Sequence, residues 1–196
     1  MFDSFESNKK LIELLLPLSV NAEPDEISRG KRRYTFLKKG QRVVYLLTDG
    51  DFFMKVREGN KILSIVSAPL VTGFTPYQDD IPLYLERVDY GKIKYISYEV
   101  FWQCVKEHGM FDDAMTVMAS QYTNLMQYIS LNRVTSASEV NALIERWQEM
   151  PEHLKRRFSV MYLIENSSYL SKSSISRVLK DMREKGKIVL DRGKFG

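Results

Sequence analysis

Ser97 divides this sequence by the period of its apolar residues. Before it, short runs rich in β-branched and aromatic residues alternate with turn signals. After it, apolar residues recur every three or four positions. Strands first and helices second is the order of an α+β chain. The strand candidates are Arg32–Leu37, Val43–Leu47, Phe52–Val56, Ile62–Val66, Leu83–Val88 and Ile93–Ser97. Asp49-Gly50 predicts a tight hairpin, Glu58-Gly59-Asn60 a second turn, and Asp89-Tyr90-Gly91 a third. Such spacing suits a sandwich or barrel.

Beyond Ser97 the pattern predicts five helical stretches and a hairpin. Ser97 caps YEVFWQCVKEHG, which stops at Gly109. A long helix follows from about Asp112 to Arg133. Phe111, Met115, Met118, Tyr122, Leu125 and Ile129 stand along it at spacings of 4, 3, 4, 3 and 4, the repeat of a dimer seam. Thr135 to Ser138 (TSAS) reads as a hinge, with Ser136 and Glu139 as a capping box before VNALIERWQEM. Pro151 opens EHLKRRFSVMYLIE, and the doublet Ser167-Ser168 breaks it. A helix from Lys172 to Lys185 closes at Gly186. Lys187–Leu190, the turn Asp191-Arg192-Gly193 and Lys194-Phe195 make a basic hairpin, so the end of the chain reads as a winged helix. The expected domains are 1–110, 111–134 and 135–196.

Charge is concentrated where this last pattern lies. The net charge is +4 overall, yet residues 171–196 carry eight basic and three acidic side chains. A localised basic end is the footprint of a polyanion partner. On the helix, Ile175, Val178, Leu179 and Met182 share one side, whereas Lys172, Ser173, Ser174, Ser176, Arg177 and Lys180 are offset from it. Recognition helices insert their N-terminal part into the major groove of double-stranded DNA. Arg177 is suited to the paired acceptors of a guanine edge, and the small serines allow close approach. Lys172 and Lys180, with Arg192 and Lys194 on the wing, suit phosphates.

The segment SKSSISRVLKDMREKGKI with the wing DRGKF resembles the winged-helix domain of the CRP/FNR superfamily of bacterial transcription regulators. The stretch FLKKGQRVVYLLTDGDFFMKV, the pair Gly73-Phe74, IKYISYEVF and the seam helix follow in the same order. The resemblance implies an N-terminal cyclic-nucleotide-binding-like β-roll (jelly roll), a long dimerisation helix and a C-terminal winged helix-turn-helix. It also implies a homodimer on DNA, with RNA polymerase as a further partner. Within the superfamily the chain is similar to the regulators named for inhibition of hydrogen peroxide resistance (the IprA type), which implies a link to oxidative stress.

The departures bear on gating. The superfamily's nucleotide site uses a Gly-Glu pair and an Arg-Ser/Thr-Ala phosphate motif. Here Gly73 is followed by Phe74, and Arg87 in LERVDY is the one nearby cation. A phosphate without its cation in an apolar pocket is costly, so cyclic-nucleotide gating is not expected. The N-terminal cysteine cluster of the iron–sulfur branch is absent. Cys104 stands four residues from His108, a weak metal or haem pair, and its apolar neighbours favour a buried, inert thiol. No cofactor is expected, and no nucleophile–base set suggests an enzyme. Lys9-Lys10 before LIELLLPLSV imitates a leader, but Glu13 and Pro17 interrupt it. A short amphipathic helix, a cytoplasmic location and no membrane partner follow. The competing reading is an adaptor whose winged helix binds protein, which steep salt dependence of polyanion binding would exclude.

Overall fold

The computed structural model describes residues 4–28, 30–75, 82–129 and 135–195. It divides into two compact units, one of residues 1–59 with 63–125 and one of residues 60–62 with 126–196. Among the described residues no helix is long and apolar enough to cross a membrane.

The first unit opens with α1 (Phe5–Leu15), which Pro17 diverts into a 3-10 turn over Leu16–Leu18. Strands β1 (Val20–Asn21), β2 (Glu26–Ser28), β3 (Lys31–Thr35), β4 (Leu37–Lys38), β5 (Gln41–Val56), β6 (Ile62–Ser67), β7 (Leu70–Thr72) and β8 (Leu83–Ser97) follow. They form an antiparallel sheet whose main path runs β2-β3-β8-β5-β4.

Two of the expected hairpin turns are corrected. Asp49-Gly50 and Asp89-Tyr90-Gly91 do not end strands. They face each other halfway along the β5–β8 ladder, Gly50 paired with Gly91, and the register shifts on either side. Gly50 has φ +83°, and a Cβ there would overlap the Tyr90 carbonyl oxygen. The signals mark an irregularity that lets two long strands bend and twist together. The turn at Glu58–Asn60 does connect β5 to β6.

The apolar run Val43–Leu47 is buried on both faces. Val44 and Leu46 join Val71, Phe74 and Ile96 against Leu11, Leu15, Phe101, Val105, Ala114 and Val117 of the helices. On the other face Tyr45 meets Tyr34 at 6.2 Å and Phe36 at 5.5 Å, and Tyr34 meets Phe52 at 6.3 Å, all edge to face. These four rings are 0–3% exposed.

Ser97 caps α2 (Tyr98–Glu107) by accepting from the Val100 N–H. Helix α3 (Phe111–Ile129) is held to the roll by more than Ala114 and Val117. Gln121 donates to the Val71 carbonyl at 2.7 Å, and Asn8 of α1 accepts from the Val71 N–H at 2.8 Å. Side chains of two helices thus satisfy both backbone groups of one strand residue. The seam stripe is partly turned away from this core. Phe111, Met115 and Tyr122 are 56%, 44% and 61% exposed. Met118 packs against the core, and Leu125 is half-buried. The Ile129 side chain and the expected end of the helix near Arg133 lie outside the described residues.

The second unit contains α4 (Ser136–Gln148), α5 (Glu152–Arg157), α6 (Val160–Ser167), α7 (Lys172–Glu184) and the hairpin β9 (Leu190–Asp191) with β10 (Lys194–Phe195). Three expectations change here. The capping box is Thr135 with Ser138, not Ser136 with Glu139, so the TSAS stretch begins α4 instead of serving as a hinge. The single helix expected after Pro151 is two, because Phe158 is extended and Ser159 caps a new start by accepting from the Tyr162 N–H. The wing strands are shorter than expected. Ile188 is spent in the core, and Arg192 and Gly193, both at positive φ, make a two-residue hairpin turn.

Candidate nucleic-acid interface

Helix α6 ends at Ser167, and Ser168 donates back to the Ile164 carbonyl at 2.8 Å. Three residues then lead to Ser171, which caps α7 by accepting from the Ser174 N–H at 3.2 Å. Ile175, Leu179 and Met182 of α7 are buried, and Val178 is half-buried. Gly186 and Lys187 close the helix by donating to the Arg183 and Met182 carbonyls. That burial turns Lys172, Ser173, Ser176, Arg177 and Lys180 outward, all exposed, with Ser174 half-buried beside the cap.

The charges in the N-terminal half of α7 run against what helix stability favours. Its N-terminal half holds Lys172 and Arg177 and no acid, whereas the C-terminal half mixes Lys180 and Arg183 with Asp181 and Glu184. Acids are stabilising at the positive N-terminal end and cations at the other. Lys172 and Arg177 therefore gain nothing from the helix's own dipole. Local pairing absorbs some of the cations: Lys172 lies 3.2 Å from Glu165, Lys180 3.8 Å from Glu184, and Lys185 2.8 Å from Asp181. No described residue pairs with Arg177, which stands exposed between them. On the wing Arg192 is exposed, and the Lys194 ammonium donates to the Arg156 carbonyl at 2.7 Å.

Sequence reasoning confined the positive charge to the last 26 residues and overlooked α5. Its last turn is Lys155-Arg156-Arg157, and the tie from Lys194 sets it beside the wing. The signal was present as a basic triplet, but only the fold shows what it adjoins.

In the roll, Phe74 follows Gly73, which has positive φ. Phe74 is fully buried and stacks on Phe101 at 4.8 Å. Arg87 lies opposite Phe52, and its guanidinium donates to the Gly91 carbonyl at 3.4 Å. Phe53 and Tyr84 are both buried. They share a face not with Tyr34 and Phe52 but with the ion pair of Lys55 and Glu86 at 3.1 Å. Cys104 is buried, and burial followed by the nearby Glu107 charge pushes its thiol above the ordinary value. His108 is paired through Nδ1 with the Cys104 carbonyl at 3.0 Å. No group of three or more His, Cys, Asp or Glu among the described residues could hold a metal ion.

No protein-family model matches the sequence, and no curated protein matches it. Solved structures do. CLP, the c-di-GMP-responsive global regulator of Xanthomonas campestris, is 16% identical with a TM-score of 0.64, over 96% of this chain and 99% of that one. A CooA mutant from Carboxydothermus hydrogenoformans is 14% identical with a TM-score of 0.61, over 84% and 80%. A structure described as a regulator of the crp/fnr family from Eubacterium rectale is 12% identical with a TM-score of 0.58, over 94% and 88%. At these identities the likeness is one of architecture. The roll, the long helix and the winged helix occur in the same order along nearly the whole chain, so the protein has the fold of the CRP/FNR transcription regulators.

Proposed function

We propose that this chain is a cytoplasmic, homodimeric, DNA-binding transcription regulator. Residues 1–110 form the roll, 111–134 the dimerisation helix and 135–196 the DNA reader. The observation that carries this reading is α7, whose apolar side is buried while its exposed N-terminal half is cationic against its own dipole. Arg177 reads bases, and Lys172, Ser173, Ser174, Ser176 and Lys180 position the helix. Arg192 and the remaining donors of Lys194 engage flanking phosphates.

Arg177→Ala is expected to relax sequence preference with a loss of about 1–3 kcal/mol at one base position. Lys194→Ala is expected to weaken binding to all duplexes alike and to flatten the salt dependence. Mobility shifts over a salt series check both. An Arg177→Ala profile identical to wild type would remove that residue from the reader.

The dimer seam is Phe111, Met115, Met118, Tyr122, Leu125 and Ile129, and the exposure of Phe111, Met115 and Tyr122 supports it. Met115→Glu is expected to give a folded monomer by sedimentation, with DNA affinity falling because two half-sites are no longer joined. A Met115→Glu protein that sediments as a dimer would move the interface elsewhere.

DNA binding in this reading is not gated by cyclic nucleotide. Phe74 in the helix-side core and the ring cluster around Tyr45 support that. Any link to oxidative stress runs through the genes controlled and not through the Cys104 thiol, which is buried and harder to ionise than usual. RNA polymerase as a partner follows from the resemblance alone.

A further inference from the structure

The last turn of α5 and the wing tip form one corner of the second unit. Lys194 donates to the Arg156 carbonyl at 2.7 Å, and the Val160 N–H donates to the Gly193 carbonyl at 2.8 Å. These bonds, from the second turn residue and the one after it, hold the wing tip against the junction of α5 and α6. The corner gathers Lys155, Arg156, Arg157, Arg192 and Lys194, with Glu152 and Asp191 as the nearby acids in sequence. Glu152 is taken by Lys155 at 2.7 Å.

A basic last turn could serve the helix dipole alone. Here the terminal carbonyl of Arg156 is already satisfied by Lys194. The side chains of Arg156 and Arg192 are exposed; the charge of Arg156 acts on Glu152, whose carboxylate is already bonded by Lys155. From this geometry we propose that Arg156 and Arg192 form a second phosphate-binding surface, separate from α7, that grips the DNA backbone beside the half-site. The inference rests on the DNA-binding reading above and adds a backbone grip to it. Its chemistry is sequence-independent: guanidinium forks on phosphate oxygens, with counterion release as the driving force. In sequence only three residues, ending at the cap Ser159, separate Arg156 from α6, the first helix of the pair and the one that crosses the backbone in helix-turn-helix complexes.

The test is fluorescence anisotropy on a labelled mixed-sequence duplex of about three helical turns, over a salt series, with the full chain. Arg156→Ala/Arg192→Ala is expected to weaken binding and to reduce the slope of log affinity against log salt by about 0.9 for each phosphate no longer neutralised. Sequence preference should stay that of wild type, unlike in Arg177→Ala. Arg156→Lys/Arg192→Lys, which keeps the charge, is expected to retain most of the slope. The Lys194 tie uses a backbone carbonyl, so an unchanged thermal melt is expected for both doubles. If wild type binds with a steep salt dependence and the alanine double matches it, this surface is wrong, Arg192 loses its phosphate role, and DNA reading by α7 stands. If the lysine double loses as much slope as the alanine double, the arginines act through something other than charge and the proposal fails. If wild type shows no salt-dependent duplex affinity, the proposal falls together with the reading it rests on.

Discussion

Glu86→Ala should destabilise the roll by about 3–5 kcal/mol, the cost of leaving a buried charge without its partner. Glu86 and Lys55 are each 2% exposed and pair at 3.1 Å. Lys31 at 3.4 Å and Arg33 at 3.3 Å add two half-buried or exposed cations to the same carboxylate. Arg33 in turn bonds both oxygens of Glu26, so the charges form a chain from the interior to solvent. With Glu86 gone, Lys31 and Arg33 can turn to water, whereas Lys55 cannot. Burial opposes the Glu86 charge, but Lys55, Lys31 and Arg33 outweigh it and hold the carboxyl below its ordinary value. A depressed carboxylate stabilises the fold above its unfolded pKa, and that contribution is lost as pH falls through the folded value. Wild type should therefore weaken in acid below about 4.5, and Glu86→Ala should lack this part of the acid sensitivity. Urea unfolding at neutral and acid pH reads both effects. The apolar double Lys55→Met/Glu86→Leu should recover most of the loss. A single variant within about 1 kcal/mol of wild type would mean that water reaches Lys55.

Gly50→Ala should be nearly as damaging. A residue other than glycine at φ +83° costs about 1–3 kcal/mol in backbone strain alone. The added Cβ would also overlap the Tyr90 carbonyl oxygen on the facing strand, and backbone cannot swing aside as a side chain does. Overlap of that kind adds a further ~1–3 kcal/mol. The damage should reach both halves of the β5–β8 ladder, since the bend between them depends on this approach. Hydrogen exchange across the ladder provides the readout. Gly30→Ala is the control. Gly30 also has positive φ, but a Cβ there meets open space, so the backbone cost alone remains. Equal losses at the two positions would refute the claim of close approach.

The same glycine shows where local signals mislead. Asp-Gly predicts a tight turn because its φ preferences suit one, and those preferences serve equally well at a bulge inside a strand. Only the pairing of Gly50 with Gly91 distinguishes the two. Similarly, KRRFSVMY carries helical apolar spacing throughout. The break at Phe158 depends on Ser159 capping a new helix and on the wing fastening to the Val160 N–H. A carbonyl acceptor 33 residues away is invisible to a local window.

Local chemistry alone determined the order of strands and helices, the capped starts at Ser97 and Ser171, and the amphipathic basic helix α7. Each follows from interactions within a few residues, such as caps, periodic burial and a glycine stop. Tertiary structure decided which turn signals became bulges, and that Phe74 would enter the helix-side core. It also decided that Lys55 and Glu86 would meet across the sheet, and that Arg156 would stand beside the wing. Those outcomes depend on pairing register and on the packing of distant segments, where free energy comes from surfaces that no single stretch of sequence contains.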